Sequence, residues 1–215
     1  MKLHARVLSI LILPLALVSA PGAWAGPPTD QLRAGVDRVL EVLRDPRLGG
    51  DTRIDQRRIA IGEVAGEIFD FPDMAKRALG PHWTERTPAE RGEFVRLFTE
   101  LIQRAYVAKV DQHAAATRMT FRGETLDDEY AVVRTTIPLS NGSTMPLDYR
   151  MHRARDRWQV YDLNIDGISL VANYRAQFNR VIRTSSYAGL AAKLKSQQAD
   201  FSSPSASPAG AVAPR

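Results

Sequence analysis

Residues 140–152 read Ser-Asn-Gly-Ser-Thr-Met-Pro-Leu-Asp-Tyr-Arg-Met-His. Met145, Leu147, Tyr149 and Met151 alternate with Pro146, Asp148, Arg150 and His152. Successive side chains of a strand point to opposite faces, so this stretch predicts a half-buried antiparallel strand with one apolar and one polar face. Asn141-Gly142 ahead of it predicts a hairpin turn, because the pair tolerates positive φ at both central positions. Working outward, Met119–Thr125 and Tyr130–Leu139 read as two earlier strands joined near Asp127-Asp128. Arg155-Asp156 turns the chain into a last strand, Arg157–Ile165, which Gly167 ends. The expectation is a four-stranded antiparallel meander.

Helical spacing flanks the meander on both sides. Leu32, Val36, Val39, Leu40 and Leu43 recur at three and four residues from about Asp30, after a Gly26–Pro28 linker. Ile54, Ile61, Val64 and Ile68 form a stripe on a second helix over about 51–68. Phe71-Pro72 opens a short helix that Gly80-Pro81 stops, since proline is favoured at the first helical position. Thr87-Pro88-Ala89-Glu90 is a capping box and starts a long helix to about residue 115 or 116, with Phe94, Leu97, Phe98, Leu101, Ala105 and Tyr106 on its apolar face. Behind the strands, Ile168 to about Thr184 returns to helical spacing, and a short helix follows over Tyr187–Gln198, with Asp166 placed to cap the first of them. Segregated helices and strands predict the α+β class.

The ends of the chain differ from this core. Lys2 and Arg6, the uncharged run Val7–Val18 and Ala23-Trp24-Ala25 have the order of a cleavable secretory signal over residues 1–25. The run is shorter than the ~20 residues of a membrane span. Residues 202–215 are rich in Ser, Pro and Ala and read as a disordered tail. The whole chain of 215 residues carries a formal charge of +5. Its 29 basic side chains less Lys2 and Arg6, against 24 acidic ones, leave +3 after signal removal. Charges of both signs are interspersed, as in residues 84–96, which argues against a nucleic-acid footprint. The absence of cysteine excludes disulfides, thiolate zinc sites, a cysteine nucleophile and an N-terminal lipid anchor on cysteine.

Catalytic patterns are sparse. His82, His113 and His152 have no metal-binding spacing. Asp162, Asn164, Asp166 and Gly167 match the opening of a calcium loop, but the twelfth position is Asn173 where a bidentate Glu is needed. No G-x-S-x-G and no phosphate loop occurs. Asp148, Asp162, Tyr149 and Tyr161 are the residues that an isomerase-like site in an α+β cavity would have to use. Aromatic and Met side chains, adaptable to irregular apolar ligands, could either fill the core or line a cavity.

Two segments resemble a known family. They are Phe69-Asp70-Phe71-Pro72-Asp73-Met74-Ala75 with Leu79-Gly80 and His82-Trp83, and Trp158-Gln159-Val160-Tyr161-Asp162 with Asp166-Gly167-Ile168-Ser169-Leu170-Val171, Asn173-Tyr174-Arg175 and Phe178. Thr87-Pro88, Arg91, Phe94 and Tyr106 lie between them. Over roughly residues 30–198 the chain resembles the MlaC (toluene-tolerance) family, periplasmic auxiliary proteins of a lipid-transport ABC system. The resemblance implies a nuclear-transport-factor-2-like curved sheet with a helical subdomain, residues 26–201, enclosing an apolar lipid cavity. It implies a monomeric, non-catalytic periplasmic carrier without a cofactor, whose cargo is phospholipid held by its acyl chains. The partners implied are an inner-membrane ABC permease complex with substrate-binding domains and an outer-membrane lipoprotein complex, with no nucleic acid. A related branch is associated with hopanoids, which leaves the native lipid open.

Face assignment then gives the expected lining. Val133 and Ile137 point inward from the second strand, Met145, Leu147, Tyr149 and Met151 from the third, and Tyr161, Leu163 and Ile165 from the fourth. Phe94, Phe98, Leu101 and Tyr106 close the space from the long helix, with Phe71 and Met74 near its mouth. Trp83, Asp162 and Gly167 are expected to be structural.

Overall fold

The computed structural model describes residues 27–50, 53–113, 119–139 and 141–196. The signal segment, the tail and any helix beyond His113 expected from the sequence lie outside these residues. The order is α1 (Pro27–Arg44), a 3-10 turn (Pro46–Leu48), α2 (Ile54–Ile68), α3 (Phe71–Leu79), a second 3-10 turn (Gly80–Trp83), and α4 (Pro88–His113). Strands β1 (Thr120–Asp127), β2 (Tyr130–Pro138), β3 (Thr144–Ala154), β4 (Arg157–Ile165) and β5 (Ile168–Ser169) follow, then α5 (Leu170–Thr184) and α6 (Tyr187–Lys195). The fold is α+β, with an open antiparallel sheet in the order β1-β2-β3-β4-β5.

Local chemistry explains most boundaries. In the capping box, the Thr87 amide donates to Glu90 Oε2 at 2.8 Å and the Glu90 amide donates to Thr87 Oγ1 at 3.3 Å. Asp70 caps α3 by accepting from the Asp73 amide at 2.9 Å. The first helix begins at Pro27, so Pro27 and Pro28 of the expected linker are already helical, consistent with the tolerance for proline in a first turn.

Three details depart from the sequence reading. The sheet has a fifth strand, because Asp166 and Gly167 take φ of +50° and +83° and fold Ile168-Ser169 back onto β4, pairing Ile165 with Ile168. Positive φ at both central residues is the type I′ hairpin geometry. Asp166 is therefore a turn residue and not the cap of α5. That role falls to Ser169, whose Oγ accepts from the Ala172 amide at 3.0 Å. Among the described residues of the 139–143 loop only Gly142 has positive φ, while Asn141 Oδ1 accepts from the Ser143 amide at 3.0 Å. That side-chain turn and the Leu139 N–H to Ser143 carbonyl bond at 2.8 Å make a longer loop than a two-residue hairpin.

Two apolar cores result. The larger joins α3, α4, α5 and α6: Phe94 meets Phe178 edge-on at 5.7 Å, and Phe98 meets Tyr174 edge-on at 5.9 Å. Met74, Phe94, Phe98, Tyr174 and Phe178 are all fully enclosed. The smaller lies on the apolar face of the sheet, where Leu32 of α1 packs with Ala131, Val133, Tyr149, Met151 and Val160. Helix α1 is fastened across the sheet at two points. The Thr29 amide and hydroxyl donate to Glu124 of β1 at 3.1 and 2.6 Å, and the Trp158 amide of β4 donates to Gln31 at 2.6 Å. Gly35 lets α1 approach α2, since a methyl group there would lie 2.7 Å from Ile68.

Candidate functional site

The register of the sheet decides which expected lining residues share a face. Tyr149 sits between Val133 of β2 and Leu163 of β4, and Leu147 sits between Thr135 and Ile165. Ile137 pairs with Met145 at the next non-adjacent rung. These residues share the apolar face, as alternation requires.

Tyr161 does not share it. Arg150 pairs with Asp162, but Met151 pairs with Val160, so Tyr161 is the extra residue of a β-bulge. A bulge sets two residues against one and re-aims a side chain. The Tyr161 ring instead meets Tyr130 at 5.9 Å and His152 at 5.6 Å on the polar face, with the Arg77 guanidinium 4.3 Å above it. Burial raises its phenol pKa, opposed by Arg77. The expectation that Tyr161 lines the apolar face is thus corrected. A signal was present in the sequence: Val160 and Leu163 are both apolar at an odd spacing, which a regular strand would send to opposite faces.

The same bulge gives Asp162 its position. Its carboxylate accepts from the Val171 amide at 3.0 Å and from the Ser169 hydroxyl at 2.6 Å, with Arg150 3.7 Å away. Asp162 therefore ties β4 to the start of α5. Asp148, next to Tyr149, points to the other face of the strand, so the Asp and Tyr of an isomerase-like pair do not converge on the apolar face. Among the described residues no group of three His, Cys, Asp or Glu is placed to hold a metal ion. No helix of the described residues is long and apolar enough to cross a membrane.

The remaining expected residues separate by core. Phe71, Met74, Phe94, Phe98, Leu101 and Ile165 belong to the helical core; Val133, Tyr149 and Met151 belong to the sheet core. Met74 is completely enclosed by α3–α6 neighbours and does not stand at an opening. Leu147, Leu163 and Phe69 touch both cores, yet none of them is fully buried. Met145 and Tyr106 border the helical core and are also half-buried, as is Ile137. Between two sealed clusters there is thus an apolar seam whose central side chains remain partly open. Tyr149 ends inside the sheet core, its hydroxyl 4.0 Å from Met119 Sδ, and burial pushes its phenol pKa up.

Phe69 is one of the aromatic side chains that could line a cavity, although face assignment did not include it, and sequence reasoning missed Leu32, Val36 and Ile68 as the cover over the sheet core. The periodicity of α1 and α2 displayed the last three as a stripe, but not which surface the stripe would meet. Phe69 reaches the seam because it bridges Val160 in parallel and the Asp70 amide donates to the Val160 carbonyl at 2.9 Å.

Comparison with known proteins follows the same elements. The profile of the MlaC protein family matches residues 33–196, from the second turn of α1 to just past α6. The chain belongs to the MlaC family. A solved structure similar to this MlaC-family chain is a phospholipid-binding protein from Ralstonia solanacearum, in complex with a phospholipid. The two superpose with a TM-score of 0.70 at 27% identity, over 82% of this chain and 99% of that one.

Proposed function

We propose that this chain is a periplasmic lipid carrier that holds the acyl chains of a phospholipid along the seam between its two cores. The observation that carries the reading is the partial exposure of Leu147, Leu163 and Phe69 at the junction of two otherwise closed clusters. Membership in the MlaC family and the phospholipid in the Ralstonia relative support it. The physics agrees. Each methylene left in water costs about 0.8 kcal/mol, so a lipid crossing an aqueous compartment needs an apolar enclosure and no catalytic group. A wall of Leu, Met and aromatic side chains adapts to chains of varied shape.

In this reading the polar face of the sheet and the charged helix surfaces remain in water. The carrier exchanges cargo with an inner-membrane ABC permease complex and an outer-membrane lipoprotein complex. The N-terminal segment directs export, and no cofactor takes part.

Organic extraction of the purified protein followed by mass spectrometry tests the proposal. Stoichiometric phospholipid is the expected result. A hopanoid in its place would redirect the cargo assignment, and a protein that carries no lipid and takes none from vesicles would overturn the carrier.

A further inference from the structure

Helix α5 has two unlike faces. Leu170, Val171, Tyr174 and Phe178 are buried in the helical core. Opposite them, Ala176, Asn179, Arg180, Arg183 and Thr184 are exposed, while Arg175 is exposed at the flank beside Gly80. An open hollow of about 400 Å³ lies on this outer face, lined by Ala176, Asn179, Arg180, Arg183 and Thr184.

The charge on this face is not balanced locally. Residues 170–184 of α5 contain Arg175, Arg180 and Arg183 and no Asp or Glu, whereas Lys195 of α6 pairs with Glu93 at 2.8 Å. On other helices some arginines have acidic partners: Arg38 with Glu67 at 2.8 Å, Arg77 with Asp73 at 2.5 Å, Arg96 with Glu100 at 2.7 Å. Arg175, Arg180 and Arg183 form no ion pair with any described residue. The acidic group linked to this face is Glu85, 3.9 Å from His82, whose Nε2 lies 3.0 Å from Asn179 Oδ1. Glu85 is already engaged by Arg86 at 3.3 Å.

We propose that this arginine face of α5 docks the protein on an anionic lipid surface. A protein partner would need an apolar anchor at the centre of the contact, because binding energy concentrates in desolvated aromatic and aliphatic side chains. The hollow offers none. The large apolar side chains that are exposed, Ile59, Leu126, Tyr130, Leu139 and Ile168, do not line it. The unpaired guanidinium groups of Arg180 and Arg183 on the outer face, with Arg175 at its flank, suit a surface of dense negative charge, where forked donors meet phosphate oxygens. Each contributes about fivefold to partitioning near such a surface.

The test is cosedimentation of the purified protein with phosphatidylcholine vesicles, made with and without phosphatidylglycerol. Binding is expected only to the anionic vesicles, and it is expected to be lost at high salt. The double substitution Arg180→Gln, Arg183→Gln should weaken it about thirtyfold. Arg96→Gln, on α4, should leave it unchanged. Lipid content by extraction should be the same in all three proteins, so failure here is separable from failure of the carrier reading. Undiminished vesicle binding by the double variant would overturn the proposal. So would a wild-type protein that ignores anionic vesicles and binds only a protein partner.

Discussion

The α3–α6 core and the seam beside it are built from the same kinds of side chain and closed to different degrees. In the first, Phe94, Phe98, Tyr174 and Phe178 interlock at ring separations of 5.7–6.2 Å and no solvent reaches them. In the second, Leu147 and Leu163 occupy the middle of the sheet's apolar face and stay partly open. Central positions of a sheet are ordinarily its best-covered ones. In the proposed reading the contrast is a division of labour: one cluster provides stability, while the partly open seam receives the lipid that supplies the remaining contacts.

The largest expected effect tests the sealed cluster. Phe94→Ala should cost about 3–5 kcal/mol, because it opens a cavity where Phe98, Phe178 and Tyr187 converge. Its urea midpoint should fall accordingly, with lipid content per folded molecule unchanged. Next is the joint between the regions. Asp162→Ala strips charge-assisted bonds from the Val171 amide and the Ser169 hydroxyl and should cost about 2–3 kcal/mol. Leu147→Ala, by contrast, should cost only about 1 kcal/mol in the lipid-free protein, since its side chain is already partly exposed. It should nevertheless reduce retained lipid, measured by extraction, more than Phe94→Ala does. An equal stability loss at Leu147 and Phe94 would break the comparison.

The effect that is smallest near neutral pH is a pH dependence. Burial raises the Tyr149 phenol above the ordinary tyrosine value, so the folded protein keeps this proton when the unfolded chain loses it near pH 10. The folded state then binds more protons than the unfolded one, and stability declines as pH rises through that range, by up to ~1.4 kcal/mol per pH unit for one group. Tyr149→Phe should remove that part of the decline and leave stability at neutral pH nearly unchanged. Urea midpoints between neutral and alkaline pH check both statements.

Much of this was legible in the chain. Alternation over Met145–Met151 placed four residues of β3 on one face, and the capping box at Thr87–Glu90 appears in the structure as read. The errors share a cause, since each concerns a single residue that breaks a period. The Val160–Tyr161 bulge turned Tyr161 to the polar face, and the Asp166-Gly167 turn added β5 where a helix start was expected. Periodicity averages over such residues, whereas hydrogen-bond register depends on each one. The division into two cores was not legible, because it depends on which apolar stripe meets which surface. That is why Phe71, Met74, Phe94 and Phe98, chosen as lining, sit inside the helical core instead.

The most direct measurement loads the protein with a phospholipid carrying a photoreactive group on its acyl chain and maps the adducts by mass spectrometry. The account predicts adducts at Leu147, Leu163, Phe69, Met145 and neighbouring seam residues. Adducts concentrated on Phe94, Phe98, Tyr174 or Phe178, or on the polar face near Tyr161, would contradict it.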